Sequence, residues 1–151
     1  MNPTALVDGM TWTDPTCPVA RTLDIVGDRW SMLVIRDAID GARSFTDFQQ
    51  RTGVARNILT DRLRRLVDRG ILRREPAASG RRQVYVLTDE GRDFFTVILA
   101  IRQWGERHMF APGEAHSVLV DEAGRPLAPL HPVDVNGDGV DMDTTAVIGR
   151  G

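Results

Sequence analysis

The sequence predicts a mainly α-helical domain with one small β-ribbon, which is an α+β fold. Apolar residues recur at helical spacing over most of residues 17–110, and a short helix ending at Gly53 precedes a second helix rich in arginine. Two alternating segments then flank a loop that contains Gly80. Helix, tight turn, helix and hairpin in this order form a winged helix-turn-helix.

The first two helices are predicted from their end signals. Pro18 fits the first turn of a helix that follows Cys17 and ends at Gly27, because proline lacks an N–H that this turn would leave unpaired. Asp28 can cap a second helix that ends at Asp40. Two helices separated by a tight turn are therefore expected before the helix-turn-helix.

The third and fourth helices form the predicted helix-turn-helix. Thr46-Asp-Phe-Gln49 has the form of a capping box, and the helix that it opens ends at Gly53. The fourth helix, Ala55–Arg69, has leucines on one face and closes at Gly70. Its other face is polar and basic.

The remaining elements are a hairpin, a long helix and a second small hairpin. Ile71–Glu75 and Gln83–Leu87 alternate as strands, and Thr88 can cap a helix that reaches about His108. A short C-terminal β-hairpin is predicted within residues 117–130, where two apolar segments flank Asp-Glu-Ala-Gly.

Charge is distributed unevenly along the chain. Residues 43–82 contain eleven arginines and four acidic residues, a net charge of +7, although the whole chain carries −2. Residues 111–151 contain two arginines and seven acidic residues. We therefore expect an N-terminal arm (1–16), a winged-helix body for DNA binding and dimerisation (17–110) and an acidic C-terminal extension (111–151). A basic stripe on a nearly neutral chain indicates a polyanionic partner.

Composition excludes several other classes of protein. The 42% hydrophobic and 26% charged content is typical of a globular domain, and no apolar run approaches the roughly 20 residues that span a bilayer. A single cysteine, Cys17, forms no internal disulfide, so we expect a cytoplasmic protein without membrane association. No catalytic constellation or cofactor motif is present, so no enzyme and no cofactor are expected. Asp134–Gly139 matches half of a calcium loop, but Thr145 replaces its bidentate carboxylate, and we expect no metal site.

Side chains that could read DNA concentrate on the fourth helix. Arg56 and Arg64 can each form a fork to guanine, Asn57 can pair with adenine, and Thr60 suits a phosphate or a thymine methyl. Arginines at the hairpin tip suit the phosphate backbone or the minor groove. A solvated amphipathic face is the alternative interpretation. The residues predicted to contact DNA are Arg43, Ala55, Arg56, Asn57, Thr60, Arg64, Arg81 and Arg82. Arg62 is expected on the flank, paired with Asp61, Asp68 or a carbonyl as readily as with DNA.

Two further features indicate a partner and a form of control. The last long helix has too many apolar groups for one exposed face, which predicts a dimer interface formed by Phe94, Phe95, Ile98, Ile101 and Trp104. Cys17 lies at a helix N-terminus, where the helix dipole favours a thiolate. It is either a redox sensor or a small buried side chain.

Seven ordered motifs between about Pro15 and His108 resemble the HxlR-type winged-helix transcriptional regulators, relatives of the MarR type. They are Cys17-Pro-Val, Gly27-Asp-Arg-Trp30, Ser44-Phe-Thr-Asp-Phe48, Leu59-Thr-Asp-Arg-Leu63, Tyr85-Val-Leu-Thr88, Glu90-Gly-Arg92 and Trp104-Gly-Glu-Arg-His108. The resemblance implies a homodimer, joined largely through its first and last long helices, on a pseudo-palindromic operator. Some members of this family use a cysteine at this position as a sensor, so the resemblance also implies a sensing role for Cys17. Members commonly have Ser where this chain has Ala55, a loss of capping that typically costs about 1 kcal/mol.

The expected function is therefore that of a homodimeric, DNA-binding transcriptional regulator. Such a protein is more often a repressor than an activator, and a small ligand or a thiol modification would release it from double-stranded operator DNA. The alternative is a ligand- or protein-binding module that uses the winged helix without sequence-specific DNA binding.

Overall fold

The computed structural model describes residues 11–149, so the first ten residues of the predicted arm and the last two of the predicted extension lie outside the described residues. Within that range the α-helices and β-strands are α1 (Pro18–Val26), α2 (Arg29–Ile39), α3 (Phe45–Thr52), α4 (Arg56–Asp68), β1 (Leu72–Pro76), β2 (Gln83–Leu87), α5 (Asp89–Arg92) and α6 (Phe94–His108), and a 3₁₀ turn covers Met142–Thr144. Their order confirms the predicted winged helix-turn-helix. The chain divides into two compact units at Arg92, and the second unit spans Asp93–Ile148. The division into arm, body and extension stays a prediction.

The N-terminus of α2 is capped by Asp28 as predicted, and α1 is capped by the side chain of Cys17. The Cys17 Sγ accepts a hydrogen bond from the Ala20 N–H at 3.4 Å. The Asp28 Oδ2 accepts one from the Ser31 N–H at 3.0 Å. Each cap satisfies a backbone donor that the first helical turn leaves without a partner.

The start of α3 corrects the predicted Thr46–Gln49 box. Ser44 is the N-cap, because its Oγ accepts the Asp47 N–H at 3.0 Å and the Asp47 Oδ2 accepts the Ser44 N–H at 3.0 Å. Asp47 also accepts the N–H of Arg43, and these backbone hydrogen bonds from Arg43 and Ser44 lower the pKa of its carboxyl. The N-cap at Ser44 is favoured over one at Thr46 because the carboxylate of Asp47 accepts two N–H groups more strongly than the neutral amide of Gln49 would.

The core of the first unit lies among α2, α3, α4 and the start of β1. Helix α2 contacts α1, α3, α4 and β2, and α4 contacts β1. The large side chains that are at most 1% exposed are Val34, Ile35, Phe48, Leu59, Leu63, Leu66 and Leu72. Burying one such side chain contributes roughly 1.5–3 kcal/mol, so the three leucines of α4 determine which face of this helix is hidden.

The wing follows directly from the end of α4. Gly70 has a φ of +75°, and the Ile71 N–H donates to the Leu66 carbonyl at 2.9 Å, which closes the helix with a Schellman motif. Strand β1 therefore begins one residue later than predicted, whereas β2 has its predicted bounds. The two strands pair antiparallel over their full length, and residues 77–82 form the tip of the wing.

The single long helix predicted after Thr88 is interrupted. Asp93 separates α5 from α6, although its backbone keeps helical angles of −64° and −18°. The Thr88 Oγ1 accepts the Gly91 N–H at 3.1 Å and so caps α5. Gly91 is buried against the Ile71 carbonyl, at a distance that leaves no room for a Cβ. This contact fixes α5 against the end of the wing as a separate turn.

In the second unit, the predicted C-terminal hairpin is a turn closed by one antiparallel bridge between Val120 and Pro126. The Gln103 side chain on α6 donates to the Ala128 carbonyl at 3.0 Å and accepts the Leu130 N–H at 2.7 Å. These backbone groups thus pair with a side chain, and proline offers no N–H with which to extend a ladder. None of the helices between residues 11 and 149 has the length and apolar character needed to cross a bilayer.

Candidate nucleic-acid interface

The polar face of α4 lies opposite its buried leucines. Arg56, Asn57, Thr60 and Arg64 are all exposed, and they recur at the spacing that places residues on one side of a helix. Ala55 is the N-cap and makes no side-chain capping hydrogen bond. The structure therefore brings together the predicted base-reading residues, and it leaves their helix start without the cap that a serine would supply.

Three of these side chains differ in how they are held. The Arg56 guanidinium lies 4.6 Å from the centroid of the Phe45 ring, a cation–π contact to the start of α3. The Thr60 hydroxyl donates to the Arg56 carbonyl at 2.9 Å, so its methyl group is better placed for a partner than its proton. The Asn57 side chain forms no hydrogen bond within residues 11–149, which leaves its donor and acceptor available.

Asp61 binds three arginines of the same helix. Its Oδ1 accepts the Arg64 Nη2 at 2.9 Å, and its Oδ2 lies 2.6 Å from the Arg62 Nη1 and 3.9 Å from the Arg65 Nη1. The Arg64 side chain is still 61% exposed. Sequence reasoning offered Asp61 only as one possible partner of Arg62, although its spacing to Arg64 and Arg65 is that of helical ion pairs.

Arg62 points toward the body of the domain. Its Nε donates to the Asp28 Oδ2 at 2.8 Å, which joins α4 to the N-terminus of α2. Burial raises the pKa of the Asp28 carboxyl, but hydrogen bonds from Ser31 and Arg62 outweigh it and lower that pKa to about 2. The expected partner Asp61 is present, whereas Asp28 was not foreseen because 34 residues separate it from Arg62.

The wing and the start of α3 supply the other predicted contacts. Arg81 and Arg82 are exposed at the tip, and neither guanidinium forms an ion pair within the described chain. Arg43 is exposed, with its Nη2 3.8 Å from the Glu75 Oε2 on β1. Glu75 also accepts the Nε of Arg73 at 2.8 Å, so this carboxylate offsets part of the basic charge on the wing.

The predicted interface residues on α6 divide by exposure. Ile101 and Trp104 are 54% and 52% exposed and Phe95 is exposed as well, whereas Phe94 and Ile98 are half-buried. Val97, which sequence reasoning missed, is 44% exposed. The His108 ring lies 5.0 Å from the Trp104 ring. Val97, Ile101 and Trp104 thus lie on one side of α6 together with His108, whereas Phe95 is exposed on the other side.

Helix α1 has exposed apolar side chains of its own at Val19 and Leu23. They are one helical turn apart, so they share a face. Cys17, immediately before this helix, is half-buried and is not in a disulfide.

A winged helix-turn-helix with an exposed basic face on its second helix is the architecture of helix-turn-helix regulators. The chain belongs to the HxlR-like helix-turn-helix family, whose model matches residues 25–112 and confirms the resemblance seen in the sequence. Rv3095 of Mycobacterium tuberculosis, an uncharacterized HTH-type transcriptional regulator, is 40% identical over 95 residues, which are 62% of this chain and 60% of that relative. The chain thus matches about 60% of the length of that regulator.

Solved structures extend the likeness to the fold. PA1607, a candidate transcription factor, is 47% identical with a TM-score of 0.83, over 87% of this chain and 94% of its own. The redox regulator HypR in its oxidized form is 32% identical with a TM-score of 0.57, over 63% of this chain and 100% of its own. By name, these relatives are a transcriptional regulator, a candidate transcription factor and a redox regulator.

The ion pair between Asp28 and Arg62 predicts a pH-dependent stability. Asp28→Asn retains an N-cap side chain and removes the charge. The folded pKa of about 2 lies below the usual 3.8, so the stabilisation is present above about pH 4 and is lost as the pH falls through 2. We expect the substitution to lower the free energy of unfolding by about 1 kcal/mol at pH 7. This is less than the pKa difference between the folded and unfolded states would give, because solvent screens the partly exposed ion pair.

Urea unfolding of both proteins between pH 7 and pH 2 measures this difference. It should shrink below pH 4 and approach zero at the acid end. A difference of the same size at pH 2 would show that the substitution acts through packing and not through charge.

Proposed function

We propose that the chain is a homodimeric, sequence-specific transcriptional regulator that represses by binding a pseudo-palindromic operator in double-stranded DNA. The exposed polar face of α4, with Arg56, Asn57, Thr60 and Arg64 opposite the leucines, carries this proposal. It lies on the second helix of a helix-turn-helix, the element that enters the major groove in this motif.

The dimensions of this face fit the reading of a short DNA site. At a rise of about 1.5 Å per residue, Arg56 and Arg64 are about 12 Å apart along the helix axis, which corresponds to three or four base pairs. The major groove admits one α-helix, and arginine and asparagine form bidentate contacts with guanine and adenine there. Arg81 and Arg82 at the wing tip would contact the phosphate backbone or the neighbouring minor groove.

The partner for α6 is a second copy of the chain. Val97, Ile101, Trp104 and His108 follow alternating steps of four, three and four residues, which is the seam spacing of paired helices. A two-fold symmetric dimer presents two α4 helices, and half-sites about one turn of DNA apart would match them. Control would act by changing the distance between these two helices.

Cys17 supplies a second part of the proposal, a response to thiol modification. It is half-buried at the N-cap of α1, where its Sγ accepts the Ala20 N–H. HypR, a redox regulator, is 32% identical to this chain. With one cysteine in the sequence, oxidation would give a mixed or an intersubunit disulfide. A small-molecule effector is the other form of control that we propose.

The first prediction from this proposal concerns DNA reading. Wild-type protein is used to select a site from a randomised DNA pool, and affinities are then measured by fluorescence anisotropy with selected and scrambled DNA across a salt series. Asn57→Ala should weaken binding to the selected site by about 1–3 kcal/mol and relax the preference at one base pair. Arg81→Ala should weaken binding to both DNAs equally and reduce the salt slope by about one.

Arg92→Ala is the matched control, since Arg92 is exposed on α5 and forms no ion pair within residues 11–149. Removal of this charge should change neither the preferred sequence nor the salt slope. If wild-type protein selects no sequence and binds all DNA weakly, the binding-module alternative replaces the regulator.

The second prediction concerns the dimer. Ile101→Glu places a charge in the proposed seam and should convert the dimer to a monomer in sedimentation equilibrium, with loss of tight operator binding. Ala100→Glu is the control, because Ala100 is exposed one position away and 100° around the helix. Equal assembly of the two variants would place the interface elsewhere.

The third prediction concerns Cys17. N-ethylmaleimide should lower operator affinity of the wild-type protein several-fold, because the added group displaces the Ala20 hydrogen bond at the start of α1. Cys17→Ser keeps an N-cap acceptor and should bind operator with and without the reagent equally well. Unchanged affinity of alkylated wild-type protein would rule out thiol control.

A further inference from the structure

We propose that Asp61 is a positioning residue that sets how strongly the recognition helix discriminates between DNA sequences. It acts by holding the guanidinium of Arg64. The proposal rests on the DNA-binding function above, and it assigns a role to an acidic side chain on a surface that would face a polyanion.

The Asp61 carboxylate is itself held in place. Its Oδ2 accepts the Arg62 Nη1 at 2.6 Å, and the Arg62 Nε donates to the Asp28 Oδ2 at 2.8 Å. That same Asp28 oxygen accepts the Ser31 N–H at the first turn of α2. A continuous chain of charge-assisted hydrogen bonds therefore joins Asp61 to a second helix, and Arg62 is only 22% exposed.

Arg64 receives its orientation from this fixed carboxylate. The Asp61 Oδ1 accepts the Arg64 Nη2 at 2.9 Å while most of the Arg64 side chain is in solvent. A guanidinium is planar, so one hydrogen bond to a fixed acceptor restricts the plane in which its remaining N–H groups lie. A bidentate contact with guanine requires such a defined plane, whereas a contact with phosphate tolerates many.

The negative charge of Asp61 affects the two kinds of binding differently. Its repulsion of phosphates is the same for every DNA sequence and weakens all complexes. The benefit of an oriented Arg64 arises only where a guanine lies within reach. An acidic residue that lowers non-specific binding more than specific binding raises discrimination, which is a difference of two affinities.

Asp68 offers a matched control within the same helix. It is exposed on α4, and its side chain forms no ion pair or hydrogen bond within the described residues. Asp61→Asn and Asp68→Asn therefore change the net charge of the helix equally, but only the first releases Arg64. Circular dichroism and thermal unfolding of both variants establish that they are folded.

The test measures affinities for the site selected by wild-type protein and for scrambled DNA over a salt series. Asp61→Asn should reduce the ratio of the two affinities about tenfold and steepen the salt slope on scrambled DNA by about one, because the freed arginine contacts phosphate. Asp68→Asn should strengthen both complexes by a similar factor and leave the ratio unchanged. Equal ratios for Asp61→Asn and wild-type protein would overturn the proposal.

A double-mutant cycle separates positioning from other effects. Arg64→Ala alone should also reduce the ratio, and adding Asp61→Asn to it should reduce the ratio no further, because Asp61 acts through Arg64. Full additivity would overturn the proposal. If Asp61→Asn is unfolded, Asp61→Glu replaces it, because this variant retains the charge and moves the carboxylate by one methylene. A positioning role predicts that Asp61→Glu reduces the ratio of affinities, whereas an effect of charge alone predicts an unchanged ratio.

Failure of the DNA-binding function gives a different result from failure of this inference. If wild-type protein selects no DNA site, both the DNA-binding function and the role of Asp61 are excluded. Wild-type protein that selects a site, with a ratio insensitive to Asp61→Asn, removes the role of Asp61 and leaves the regulator in place.

Discussion

The packing of the α4 leucines against the rest of the first unit is the constraint on which the polar face of α4 depends. An α-helix has 3.6 residues per turn, so burying Leu59, Leu63 and Leu66 fixes the rotation of the helix about its axis. Arg56, Asn57, Thr60 and Arg64 are then the polar residues that remain in solvent. Arg62 lies beside the leucine stripe, and for that reason its guanidinium is directed to Asp28 and not outward. One hydrophobic requirement thus separates the basic side chains into those that face solvent and one that pairs with the body.

Packing and ion pairs control different properties of this surface. Three buried leucines contribute several kcal/mol together, whereas an ion pair at a partly exposed site contributes about 0–1 kcal/mol. The hydrophobic core therefore determines where α4 lies, and the ion pairs determine which conformations its arginines adopt. Asp61 shows the distinction: it adds little to the position of the helix, but it pairs with three guanidinium groups, and it is the carboxylate that holds Arg64. In the proposed function, selectivity between DNA sequences depends on these ion pairs and the arginine conformations that they set.

Sequence reasoning predicted the features that depend on neighbouring residues. The ends of α2 and α4 follow from local caps, and the strands of the wing follow from local alternation. The start of α3 was placed two residues late because Ser44 and Thr46 both fit a capping box, and the choice depends on the carboxylate of Asp47. The break before α6 accompanies the close approach of Gly91 to the Ile71 carbonyl, and the Arg62–Asp28 pair spans 34 residues. Contacts between distant segments leave no periodic signal in a single sequence, so these features needed the structure.

The arrangement of charge also explains how a chain with a net charge of −2 could bind DNA in the proposed way. Arginines that already neutralise a carboxylate, such as Arg62 and Arg73, add little to the attraction of a polyanion over distance. Arg81 and Arg82 at the wing tip have no such neighbour in the described chain, so their field reaches phosphates first. In the proposed complex the paired arginines would act at contact, where geometry decides whether a guanidinium matches a base edge. In the proposed function, long-range attraction by the wing and short-range selection by α4 are therefore separate properties, and each can change without the other.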